Sequence, residues 1–98
     1  MNNKQSKYGR VDANQKQVVS QLRKCGFSVL ILSNIGKGCP DLLVGLNGVN
    51  LLVELKDENK PPSAKKLTPD EEQFFDTWKG KAIVAENAEQ IIKSFQNG

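Results

Sequence analysis

The dipeptide Asn47-Gly48 constrains this 98-residue chain more than any other feature, because it separates two apolar runs, LLVGL before it and VNLLVEL after it. Asn-Gly suits both central positions of the tight turn that joins antiparallel strands. A two-residue loop fixes the register of the strands it joins. Leu46 then faces Val49, and counting outward brings Asp41 opposite Glu54. Directly opposed side chains share a face, with Cβ atoms roughly 4.5–5.5 Å apart. Lys56, two residues beyond Glu54, returns to that face. Asp41 and Glu54 are the only acids of the two predicted strands, 41–46 and 49–56. Opposed like charges destabilise a sheet, so their presence here points to a bound cation.

The rest of the chain supplies a frame for that hairpin. Apolar positions Val18, Val19, Leu22 and Cys25 recur at helical spacing from about Asp12, and Gly26 ends the helix. Residues 27–33 (FSVLILS) read as a short strand, and 34–40 (NIGKGCP) as a loop. Residues 57–67 carry Pro61-Pro62 among charges and read as an extended loop. Thr68, Pro69 and Glu71 then form a capping-box helix start, running to about Lys79 with Phe74 and Trp78 one turn apart. Phe74, Phe75 and Trp78 at this spacing are expected to be core residues. KAIVA (81–85) reads as a last strand, parallel to an earlier one with the preceding helix as crossover. Asn87 caps a final helix carrying Ile91, Ile92 and Phe95. The fold class is α/β, a mixed β-sheet with order α-β-β-β-α-β-α. The strand holding Leu51, Leu52, Val53 and Leu55 is apolar enough to be central.

Composition narrows the chemistry. There are 14 basic and 11 acidic side chains and no histidine. Histidine bases, histidine metal ligands and His-containing triads are excluded, so hydrolysis would run through carboxylates, lysine or a metal ion. The excess positive charge sits in the first residues, where Lys4, Lys7 and Arg10 are unopposed. We read 1–11 as a flexible basic arm that touches phosphates or merely solubilises, and 12–98 as a single domain. Cys25 and Cys39 have no metal or redox spacing. No signal peptide precedes them, so they read as reduced thiols in a cytoplasmic compartment, Cys39 as a packing residue. No run approaches the ~18 apolar residues that span a bilayer.

Two carboxylates and an ammonium at the end of a buried strand suit metal-assisted phosphodiester hydrolysis. Mg²⁺ or Mn²⁺ prefers oxygen ligands and generally uses one or two protein carboxylates. Asp41 and Glu54 supply these, with the Leu55 backbone carbonyl as a third donor. Lys56 orients the water or stabilises the phosphorane. Lys37, Lys60, Lys65 and Lys66 read either as phosphate contacts or as exposed loop lysines.

The segments GKGCPDLLVG, VELK and KKLTPDEEQFFDTWKG resemble the PD-(D/E)xK nuclease superfamily, and within it the stand-alone VRR-NUC domains of phages and bacteria. The resemblance spans about residues 12–95. It implies a PD-(D/E)xK nuclease core, a Mg²⁺ or Mn²⁺ cofactor, ligands at Asp41 and Glu54 with Lys56 beside them, and homodimers that cut branched DNA such as Holliday junctions. It also implies a cytoplasmic location in a bacterium or phage-infected host. Where related resolvases carry a first-helix glutamate, this chain has Gln15, with Asp12 one turn earlier as the alternative. Glu71 stands where many such sequences have glutamine; its capping role accounts for it. Two other readings compete: a non-catalytic DNA-binding module on the same fold, and a subunit-interaction domain with a fortuitous Glu-x-Lys.

Overall fold

The computed structural model describes residues 13–97. The arm over 1–11, with Arg10, and also Asp12 lie outside the described residues. Helix α1 (Ala13–Lys24) leads into strand β1 (Ser28–Ile31), followed by β2 (Leu42–Leu46) and β3 (Val49–Leu55). A 3₁₀ turn (Pro62–Lys65) precedes α2 (Pro69–Thr77), and β4 (Ala82–Ala85) and α3 (Ala88–Asn97) complete the order read from the sequence. The 3₁₀ turn replaces the extended loop expected there: Pro61 and Pro62 fix φ near the helical value, and Ala64 N–H closes onto the Pro61 carbonyl at 2.9 Å.

One four-stranded sheet runs in the order β1-β2-β3-β4. β1, β2 and β3 are antiparallel neighbours, and β4 joins β3 in parallel through the α2 crossover. The β2–β3 register matches the one dictated by the turn, with Leu46 opposite Val49 and Leu42 opposite Val53. Asn47 and Gly48 both have positive φ (53° and 81°), as the type I′ turn demands. β3 is an inner strand, and its last five residues, Leu51 to Leu55, are all buried.

The two faces of the sheet differ. Val29, Leu42, Val44, Leu51, Val53, Leu55 and Ala85 project to one face, where Val18, Val19 and Leu22 of α1 and Ala88 and Ile91 of α3 cover them. Phe27 and Phe95 close this core edge to face, centroids 5.1 Å apart. A Schellman turn stops α1 at Gly26, with Phe27 N–H on the Leu22 carbonyl and Gly26 N–H on that of Arg23. α3 starts on Asn87, whose Oδ1 accepts from Gln90 N–H at 2.9 Å. By strand alternation, Glu54 belongs to the opposite face.

The aromatic residues of α2 depart from expectation. None of α2 is buried, and Trp78, stacked on Phe74 at 5.0 Å, is 48% exposed. Helical spacing put Phe74 and Trp78 on one face, but that face is only partly covered: Phe74 and Phe75 are half-buried and stand outside the core cluster. Polar contacts hold α2 instead. Thr68 and Glu71 complete the capping box, and the glycine-rich loop meets its first turn at Gly38. That residue has φ 78°, and a Cβ there would collide with the Asp70 backbone carbonyl. Only glycine permits this approach.

Candidate active site

Asp41 follows the fully buried Pro40 at the mouth of β2. Its backbone carbonyl accepts from Leu32 N–H at 2.7 Å, which extends the β1–β2 ladder by one step. Its side chain then reaches across to β3, where Oδ2 accepts from Leu55 N–H at 2.8 Å. In an antiparallel pair a residue's N–H and carbonyl leave on the same edge, so the Leu55 carbonyl is directed to the Asp41 side of β3. Lys56 N–H points the other way, to the Ala85 carbonyl on β4.

Glu54 is only 4% exposed, and its Oε1 is buried with no hydrogen-bond partner among the described residues. Its Oε2 lies 3.5 Å from Lys56 Nζ. Burial, and then the charge of Asp41, push the Glu54 pKa up to about 8. Asp41 is raised too, chiefly by burial, against the lowering effect of the Leu55 N–H. Such a carboxylate is costly to ionise alone. It is the condition a positive ion relieves.

Lys56 is held from a second side. Its ammonium donates to Glu71 Oε1 at 2.9 Å, the same oxygen that accepts from Thr68 N–H in the capping box. Burial works against the Lys56 charge, but Glu71 and Glu54 outweigh it and raise its pKa. Burial likewise opposes the Glu71 charge, and the bonds from Lys56 and Thr68 prevail to lower its pKa. Sequence reasoning explained Glu71 as a cap. The structure makes the same carboxylate the anchor of Lys56, a contact that depends on where α2 docks and that local spacing could not reveal.

Asp41, Glu54, Leu55 and Asp57 line a pocket of about 220 Å³ together with Asn14, Gln15 and Ser33. Gln15 is buried and faces Ser33 Oγ, with Nε2 at 3.0 Å and Oε1 at 3.2 Å. The first helix thus delivers Gln15 to the acids as the resolvase alignment implied. Asn14, Ser33 and Asp57 were missed, since small polar residues carry no spacing signal. Cys39 is half-buried, and burial followed by the charges of Asp41 and Glu54 pushes its thiol up.

The lysines of the loops are dispersed. Lys37, at φ 55°, lines a separate hollow with Asp70, Gln73, Phe74 and Thr77. Lys65 pairs with Glu86 at 3.2 Å. Lys60 and Lys66 are exposed.

The donor set fits a hard divalent cation: an orphaned buried carboxylate oxygen, a second carboxylate beside it and a carbonyl on the same edge. Among the described residues no group of three or more His, Cys, Asp or Glu could hold an ion. The remaining positions would fall to solvent and substrate oxygens, as magnesium tolerates.

Fold and site together define a nuclease-like α/β domain. The chain belongs to the VRR_NUC family. A solved VRR_NUC domain is 33% identical to it, with TM-score 0.54, over 84% of this chain and 89% of that one. No family model and no curated protein matches the chain. No helix among the described residues is long and apolar enough to cross a membrane.

Proposed function

We propose that this protein is a Mg²⁺- or Mn²⁺-dependent endonuclease that hydrolyses phosphodiester bonds in branched DNA such as Holliday junctions, acting as a homodimer. The observation that carries the reading is the buried Oε1 of Glu54 beside Asp41, an oxygen with no hydrogen-bond partner among the described residues. Asp41, Glu54 and the Leu55 carbonyl would hold the ion. When bound, it supplies Lewis acidity, which acidifies the attacking water and offsets charge on the phosphate.

The chain's own groups do the positioning. Leu55 N–H fixes the Asp41 carboxylate, and Glu54 and Glu71 fix the Lys56 ammonium. Lys56 orients the water or stabilises the charge of the five-coordinate phosphorus. Each cut consumes one water: its oxygen joins phosphorus, the P–O ester bond breaks, and a proton passes to the departing oxygen. A four-way junction needs two symmetric cuts, and a two-fold dimer provides two sites at fixed separation.

Glu54→Ala is expected to abolish cutting of junction DNA in Mg²⁺ or Mn²⁺ while keeping the circular dichroism spectrum and DNA binding of the parent. Full cutting by the variant overturns the proposal. The neutral amide of Gln15 favours one competitor, a non-catalytic DNA-binding module. That reading takes over if the parent protein binds DNA in a salt-dependent manner yet cuts no branched substrate with either metal.

A further inference from the structure

The two flanks of α1 carry different chemistry. Toward α3, a hollow is lined by amides and by Glu58 and Glu89. Toward β1, a groove of about 500 Å³ is lined by Lys16, Arg23 and Lys24 around a floor of Val19 and Ile31, with no acid. None of these three cations has a carboxylate partner among the described residues. Arg23 is held in place instead by donating to the Val29 carbonyl at 2.9 Å.

The helix dipole accounts for Arg23 and Lys24 in the last turn of α1, but it disfavours Lys16 in the first turn. The groove and the acid pocket draw on neighbouring stretches of the chain. α1 gives Gln15 to the pocket and Lys16 to the groove, and the chain after β1 gives Ser33 to the pocket while Ile31 lies in the groove. From Gln15 to Arg23 the helix advances about 12 Å, the length over which one strand of a duplex carries about three phosphates, counted along the duplex axis at 3.4 Å each.

We infer that the α1–β1 groove binds the sugar-phosphate backbone of the strand leaving the cleavage pocket, with Lys16, Arg23 and Lys24 contacting successive phosphates. This inference rests on the nuclease reading and adds the direction in which the DNA runs. Charge complementarity selects the occupant: three cations with no acid among them suit the unbroken row of anions of a sugar-phosphate backbone, and a second copy seating its Glu58 and Glu89 hollow here is the outcome the sedimentation measurement separates.

The test is fluorescence anisotropy with labelled junction DNA over a salt series, in EDTA so that no cutting intervenes. Lys16→Ala/Lys24→Ala removes two exposed side chains from a helix that tolerates alanine, and Arg23 is left alone because it also supports β1. The double variant should bind on the order of tenfold more weakly at 0.1 M salt, with the slope of log K against log salt reduced by about 1.8. Lys93→Ala on α3 should keep the parent slope. An unchanged slope in the double variant overturns the groove and leaves the nuclease reading standing. A change in sedimentation mass with unchanged DNA affinity also overturns it and assigns the groove to self-association. No DNA binding by the parent overturns both.

Discussion

Helices α1 and α2 serve the same sheet and the same pocket, but they are held by opposite means. α1 buries Val18, Val19 and Leu22 against the sheet, with Leu22 completely enclosed, and brings Gln15 to the acids as part of that packing. α2 buries nothing. It is fixed by a capping box, by the close approach of Gly38 and by the Glu71 bond to Lys56. Apolar burial holds one helix and polar contacts the other, and the candidate site draws on both, on Gln15 from α1 and on Lys56 anchored by Glu71. One face of the sheet carries the core under α1 and α3, and the more polar opposite face carries Glu54 and Lys56.

The sharpest break in that comparison comes from the core. Leu22→Ala should lower unfolding stability by about 2–5 kcal/mol, seen as a reduced urea midpoint. Loss of less than about 1 kcal/mol would mean that α1 is not the structural helix.

The polar face should show itself through pH. Glu54 has a folded pKa raised from 4.5 to about 8 by burial and by Asp41. The folded state therefore binds more protons than the unfolded state between those values, and stability falls as pH rises through this window. Between pH 5.5 and 8.5, without divalent metal, the loss should be roughly 2–4 kcal/mol. The Glu71 pKa is lowered, so Glu71 stays ionised across this range. Glu54→Gln should flatten the profile, and Mg²⁺ should restore stability more at pH 8.5 than at pH 5.5. A thermal melt series measures all three.

A smaller effect is expected at α2. Glu71→Ala removes a hydrogen bond to a charged group, worth about 1.5–3 kcal/mol, from the anchoring of Lys56. The turnover number should fall about 10- to 100-fold with little change in KM, and the broken capping box should lower stability by about 0.5–2 kcal/mol. Glu71→Gln keeps an acceptor for both Lys56 and Thr68 and should recover most of the rate. An unfolded Glu71→Ala variant would place α2 among the structural elements.

The legible parts of the sequence were those with local causes. Asn47-Gly48 set the β2–β3 register, which in turn placed Asp41 and Glu54 together. Gly26, Thr68 and Asn87 marked helix ends through hydrogen bonds made within a few residues. Phe74 and Trp78 misled because spacing shows that rings share a helix face, not that anything packs against it. The Glu71–Lys56 bond was hidden because it joins residues on either side of the Pro61-Pro62 segment. Gln15 reached the site list through family resemblance, since a lone amide on a helix has no chemical signature.

The account rests on Asp41 and Glu54 jointly binding a divalent ion. A crystal of the full chain grown with Mn²⁺ measures this directly through anomalous scattering. One peak between the two carboxylates, touching the Leu55 carbonyl and lost in Glu54→Gln, is the predicted result. Both carboxylates in order with no peak between them, or manganese bound only elsewhere, would contradict it.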